Sequence, residues 1–552
     1  MQNIRNFMSI CMLSMLAMAC QQKPTIEVDY LFINGKIYTA DSAYSIAEAL
    51  VVRNDSILDF GNTKDIQSKY YSKNTFDLTG KTMYPGLIDA HCHFFAYGQD
   101  LQELNLKQTV SFEDMINQTV KYAQTNNPSF IIGRGWNEET WESKSTIANF
   151  KLNALFPNIP VVLQRIDGHA VLCNQVALDM AGITSTMEIA GGSIEKMGGF
   201  ITGVLVDKAA GLVFDILPEL NYQQKIRALL DAQEACFKVG LTTVSDAGLP
   251  RNIVLLIDSL QKSNDLKMRV YAMANPVRAE LEAYIKQPIH SDRLRVNSVK
   301  LYADGSLGSR GALLKKAYCD HEGHFGLIQN NIDYYKDITA FCYQNNWQVN
   351  THCIGDSANA LLLNLYASYL KGPNDRRWRI EHAQVVDPSD MHIFKDFSII
   401  PSVQPTHATS DMEMAVKRIC DSSQMLGAYS YKQLLQQNNY IAFGTDFPVE
   451  GISPLATYFA AVNRTASNGQ VFKPEEAMTS QEAVLGMTRW AAYANFMEKE
   501  VGSIQRGKRA DLVILSNDLS YCKTLSDVDV LLTMLNGETV YQSSKIQKVS
   551  KK

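Results

Sequence analysis

A chain of 552 residues with 46% hydrophobic and 20% charged residues has ordinary globular composition, enough for one large barrel plus a small second domain. Its formal net charge of -5 and pI near 6.1 leave no basic footprint, which argues against nucleic acid as a partner. No internal repeat, heptad run or low-complexity tract interrupts the chain, so repeat and fibrous classes are excluded.

The first segment in chain order is not part of the fold. Arg5 precedes an apolar run, Phe7 to Ala19, too short to span a bilayer and shaped like the core of a secretory signal. The run ends Leu16-Ala17-Met18-Ala19-Cys20 and turns polar at Gln21, Gln22 and Lys23. Small residues before a cysteine resemble a bacterial lipobox, although Met18 is bulkier than the usual occupant. That resemblance implies a signal peptide over residues 1–19, cleavage before Cys20 and lipidation of its thiol. The mature protein is then an exported bacterial lipoprotein, periplasmic or outer-membrane, anchored by acyl chains without spanning the membrane. Ordinary signal cleavage with an incidental Cys20 is the alternative. The ten cysteines read as scattered packing residues with no CxxC pair, not as a disulfide framework.

Residues 26–84 read as short alternating strands, with Asn34-Gly35 as a hairpin signal. Residues 500–545 have the same character, with Asn536-Gly537 as another turn. Each piece is too small for its own core, so the two are expected to pair into one small β-sandwich. Between them, over 85–499, apolar runs alternate with helical segments, which predicts an α/β domain with a parallel sheet. Strands are expected at 83–93, 241–246, 266–274, 298–304, 347–353, 378–382, 398–403 and 441–446. Eight such units suggest a closed (β/α)₈ TIM barrel. The stretch from the first to the second is too long for one crossover, so about 102–233 is an inserted subdomain with strands at 130–133 and 161–166.

The chemistry sits at the strand ends. PGLIDAHCHF (85–94) closes the first strand with His91, Cys92 and His93; side chains alternate faces, so the two histidines share one face and Cys92 takes the other. An H-x-H pair alone is weak evidence for a metal site. Lys300, His352 (VNTHCIGD), His382 (RIEHAQ) and Asp446 (FGTDFPVE) end later strands, however, on the face where barrel enzymes hold their catalytic groups. Cys92 and Cys353 fall on the opposite face as packing residues. Glu381 alternates away from His382 and is expected to salt-bridge within the barrel wall.

The order H-x-H, Lys, His, His, Asp on such a barrel resembles the amidohydrolase superfamily. GRGWNEETW (133–141), RIDGHAVLCN (165–174), TGVLVDKA (202–209), VKLYADGSLGSRGA (299–312), SVQPTHATSD (402–411) and GTDFPVEGISPL (444–455) resemble amidohydrolase family 3, the branch that includes N-substituted formamide deformylase-like enzymes. The resemblance implies hydrolysis of a non-peptide C–N bond in a small amide, an N-acyl or N-formyl compound. It also implies divalent metal, Zn²⁺ by preference: one ion on His91, His93 and Asp446, a second on His352 and His382, bridged by a carboxylated Lys300. A single ion with Lys300 as a neutral amine or outward ion-pair partner is the alternative. A metal so held brings the pKa of water towards ~7, with Asp446 as the proton acceptor and donor. Trp136 and His169 in the insertion, and Asp304, Ser306, Arg310, Gln404 and His407 after the fourth and seventh strands, are candidates for substrate contact. Helix caps and solvated charges are the competing explanation for the polar ones. A mononuclear deaminase of a cyclic amidine and a non-catalytic solute-binding lipoprotein are the other functions the pattern allows. The partners are a small amide and, through the lipid, a membrane, and a homodimer is left open.

Overall fold

The computed structural model describes residues 25–142 and 146–549, so the leader at 1–19 and Cys20 lie outside the described residues. Eight parallel strands follow one another around a barrel in chain order. They are β1 (Leu87–Cys92), β2 (Leu241–Leu249), β3 (Arg269–Ala274), β4 (Leu294–Tyr302), β5 (Gln348–Cys353), β6 (Arg379–His382), β7 (Ile400–Val403) and β8 (Ala442–Phe443). The ring shuts between β8 and β1, where Asp446 N donates to His91 O at 2.8 Å and His93 N to Phe447 O at 2.8 Å. The α/β TIM barrel read from the periodicity is the fold observed.

Apolar side chains fill both faces of the barrel wall. Outward ones pack under helices such as the amphipathic Arg251–Lys262 and the largely apolar Asp356–Leu370. Inward ones, Ile88, Ala90, Ala247, Tyr271, Met273 and Ala442, meet Ala491, Ala492 and Ala494 of the helix Arg489–Ala494, which plugs the end opposite the ligands. The small alanines let that helix approach closely. Arg379, fully buried, donates to Ala90 O and Ala494 O, so its charge is hydrogen-bonded in this plug.

The expected first strand divides in two. Thr82–Pro85 belongs to a six-stranded sheet, antiparallel to Leu512–Leu515, and Gly86 then turns the chain into β1. A Cβ at Gly86 would stand 2.3 Å from Thr242 Oγ1, so only glycine fits this crossing. The six-stranded sheet faces a four-stranded one built from Ser56–Gly61, Ala49–Arg53, Tyr30–Ile33 and Thr75–Asp77. Asn34-Gly35 is a corner, not a hairpin: Tyr30–Ile33 lies in one sheet and Lys36–Tyr38 in the other. Asn536-Gly537 does make a hairpin, joining Val530–Leu535 to Glu538–Gln542 with positive φ at both turn residues. Positive φ reverses the chain in both places; where the next strand finds its partner decides the outcome.

Between β1 and β2 a separate six-stranded sheet, with the helices Phe112–Asn126 and Gln175–Met180, builds its own apolar core around Trp136, Trp141, Leu163 and Leu172. No helix among the described residues is long and apolar enough to cross a membrane.

Candidate metal centre

His91 ends β1 with its side chain fully buried. Its Nδ1–H donates to Glu381 Oε2 at 2.6 Å, which leaves Nε2 as the acceptor, facing Lys300 Nζ. Burial, and then the neighbouring Lys300 charge, pushes the His91 pKa down to about 4, so the ring is neutral and ready to ligate. Burial opposes ionisation of Glu381, but the hydrogen bond from His91 and the Arg379 and Lys300 charges outweigh it and hold the carboxyl below its ordinary value.

Glu381 and His382 therefore both face the barrel interior, contrary to the alternation expected of a strand. The cause is local: His382 has φ +71° and Ala383 φ +42°, so the strand has ended and the backbone swings His382 back over the mouth. Glu381 is thus a ligand-orienting group; its wall partner, Arg379, is 3.8 Å away. The same device places Asp446, which lies beyond the two-residue β8 at φ +63°.

Gln404 pairs with His382 in the way Glu381 pairs with His91. Its Oε1 accepts from His382 Nδ1 at 2.7 Å, so this candidate for substrate contact, fully buried, orients a ligand instead. His352 ends β5, with its ring 4.5 Å from that of His382. Its Nε2 is buried and has no hydrogen-bond partner in the protein. Burial lowers the pKa of both His352 and His382 well below the usual imidazole value.

Asp446 Oδ1 stands 3.2 Å from His93 Nε2 and 3.6 Å from His91 Nε2. Burial would raise its pKa, yet the surrounding imidazoles hold it well below the carboxylate range. Lys300, fully buried on β4, places Nζ 3.1 Å from His91 Nε2 and 4.8 Å from the centre of the Tyr302 ring. Burial pushes its pKa down to about 8. Ligand atoms of His91, His382 and Asp446 lie within 4.8 Å of one another, drawing members from both halves of the expected two-ion partition. Neutral imidazoles, a carboxylate and a buried Nε2 without a partner fit a divalent cation.

His93, Lys300, His352, His382 and Asp446 line a cavity of about 510 Å³ at the C-terminal end of the barrel, roofed by the insertion. His169 and Ser306 line it, and so does His407, whose Nε2 is 3.7 Å from Asp446 Oδ2. Three other sequence candidates do not reach it. Trp136 packs in the insertion core and donates to Leu163 O at 2.8 Å, because a large ring outweighs any lid role there. Asp304 is fully buried and accepts from the backbone N–H of Leu313, Ile354 and Gly355, fixing the loops after β4 and β5. Arg310 is held by Asp320 at 2.8 Å.

That arginine belongs to a clasp at the mouth. Cys319, after β4, is disulfide-bonded to Cys420, after β7, so these two cysteines are not the free packing residues expected. They are 101 positions apart and in no CxxC, so no spacing rule could pair them. Beside them Arg418 binds Gly308 O, Asp320 and Glu139, tying both loops to the insertion.

A family model described as "Amidohydrolase family" matches residues 74–541. The chain is 33% identical over 540 residues to the Arabidopsis thaliana protein LONG AFTER FAR-RED 3, covering 94% of this chain and 92% of that one. It is 24% identical over 536 residues to the N-substituted formamide deformylase of Arthrobacter pascens, covering 93% and 98%. Among solved structures, an uncharacterized metal-dependent hydrolase from Pyrococcus horikoshii OT3 superposes with a TM-score of 0.72 at 25% identity, over 90% of this chain and 98% of that one.

Proposed function

Since this chain belongs to the amidohydrolase family and is a metal-dependent hydrolase of that superfamily, we propose that it cleaves the non-peptide C–N bond of a small N-acyl or N-formyl compound. The carrying observation is the convergence of His91, His382 and Asp446, with ligand atoms within 4.8 Å of one another, beside His93, His352 and Lys300 at the floor of the cavity. The full-length likeness to a formamide deformylase supports the choice of bond. His91, His93, His352, His382 and Asp446 would hold two divalent ions, Zn²⁺ by preference, with Lys300 as a carbamate between them. Such ions supply Lewis acidity, which activates water near neutral pH and polarises a carbonyl.

The protein's own groups do the rest. Glu381 and Gln404 fix His91 and His382 with Nε2 forward. The depressed Lys300 pKa keeps a share of the amine unprotonated, the form that adds carbon dioxide. Asp446 takes a proton from the attacking water and passes it to the departing nitrogen.

The leader and Cys20 make the enzyme an exported, lipid-anchored protein within the same proposal, and a disulfide between surface loops suits an oxidising compartment. Elemental analysis of the purified protein, with a screen of N-formyl and N-acyl amines, tests the reaction. Two equivalents of metal and amine release are expected. Ammonia release from cyclic amidines without amide turnover would overturn the bond assignment. Mass spectrometry of the N-terminal peptide tests the anchor, and an unmodified Cys20 thiol would end that part.

A further inference from the structure

The metal centre takes up only part of the cavity. Beyond it, the segments after β7 and β8 place three further carboxylates on the wall: Asp411, Glu413 and Glu450. Among the described residues, none of these three belongs to an ion pair. Other acids around the cavity do have partners: Asp167 lies 2.5 Å from Arg165, and the buried Asp207 lies 2.7 Å from His169 Nδ1. The cations nearby are likewise committed. Arg165 also binds Glu138 at 2.8 Å, Lys417 stands 3.7 Å from Glu139, and Lys107 gives its Nζ to Pro448 O at 2.8 Å.

The unpaired wall is built, not incidental. Tyr429, fully buried, donates its hydroxyl to Asp411 Oδ2 at 3.0 Å and accepts from Gln384 Nε2 at 2.7 Å, so a relay from behind aims this carboxylate. Ser410 Oγ donates to Glu450 Oε1, which ties the two segments together. Glu413 stands at the rim and accepts from Asn468 Nδ2 at 2.7 Å. His407 joins this wall to the metal centre. Its Nε2 lies 3.7 Å from Asp446 Oδ2, and its carbonyl accepts from Asp411 N at 2.9 Å, one helical turn on. That ring lines the cavity with its side chain only 8% exposed, yet Nε2 has no hydrogen-bond partner in the protein. Burial pushes Asp411 up to about 6 and Glu450 up to about 7, as it does for carboxylates without a counter-charge.

We infer that Asp411 and Glu450 form a second subsite, which takes an organic cation carried on one arm of the substrate amide. The inference rests on the C–N bond assignment proposed above. Buried carboxylates are costly unless a charge or hydrogen-bond donors meet them, and a cation supplied by the substrate does so only in the complex. A metal ion does not suit the place: among the described residues only His91, His382 and Asp446 bring ligand atoms within 4.8 Å of one another. An ammonium group has three donors pointing apart, which can serve carboxylates that do not touch each other. The unpartnered His407 lies along the way, between the reacting carbon and the charge.

The test uses the metal-loaded enzyme and two isosteric pairs, each differing in one terminal group. N-acetylcadaverine against N-acetylhexylamine puts the cation on the amine arm. The anilides of ε-aminocaproic and heptanoic acid put it on the acyl arm. Wild type is expected to favour the cationic member of one pair by about tenfold or more in kcat/KM. Asp411→Asn and Glu450→Gln each bring that ratio towards one, with most of the change in KM. The readout is a ratio within one protein, so losses of folding or metal cancel. Calorimetric binding of the same four compounds reads the preference even in a protein that hydrolyses none of them. No preference for the cation in either pair, or a ratio that both variants leave at the wild-type value, would overturn the inference while the C–N bond assignment stands. Preferred binding of the cation without any amide turnover would sink that assignment and keep the subsite.

Discussion

Two of the candidate metal-binding histidines are each steered by a group behind the ring. Glu381 bonds His91 and Gln404 bonds His382, each at Nδ1, so both rings offer Nε2 forward. Groups of this kind tune affinity as well as direction. Glu381→Ala is therefore expected to weaken metal binding by roughly 10–100-fold, measured by competition with a chelator. Unchanged affinity would mean that the barrel wall alone holds His91. Lys300 carries a pH signature. Its pKa of about 8 means that the free amine predominates above that pH and gives way to the ammonium below it. Reconstitution of the metal-free enzyme with Zn²⁺ at fixed dissolved carbon dioxide should slow about tenfold per pH unit below 8, since only the free amine reacts. A rate flat between pH 6 and 8 would remove Lys300 from the assembly step.

At the scale of strands and loops, the order of the ligands was plain in the sequence and their aim was not. His91, Lys300 and His352 lie within or at the ends of their strands, where a period of two is a sound guide. His382 and Asp446 sit on left-handed backbone, where that period no longer applies, and Glu381 was misread for this reason. Long-range pairs left even less trace. Nothing near Asp207 points to His169, 38 positions earlier, and nothing near Cys319 points to Cys420. The disulfide closes a large loop, so replacing both cysteines by serine should cost about 2–4 kcal/mol of stability in urea unfolding. Because Arg418, beside Cys420, holds the cavity-lining Gly308, KM should rise as well. Wild-type unfolding that ignores added reductant would refute the pairing.

Over the whole molecule, the sandwich is docked on the barrel through buried charge. Arg269 on β3, fully buried, donates to Asp511 Oδ2 at 3.1 Å and to Asn536 Oδ1 at 2.6 Å. Asp511 Oδ1 accepts from Asn536 N at 2.8 Å, so one carboxylate ties the terminal sheet to a barrel strand. Asp511→Ala would leave that guanidinium buried beside a void, a loss of about 3–5 kcal/mol that denaturant unfolding can read. A change below 1 kcal/mol would show that water enters and solvates the arginine.

The sheet that joins Thr82–Pro85 to Leu512–Leu515 has a consequence in time. Lys36 meets Asp518 across a separation of 482 positions, so this contact waits on a segment made late. A nascent polypeptide can wind much of its cylinder early, yet this latch stays open until that late segment has been made.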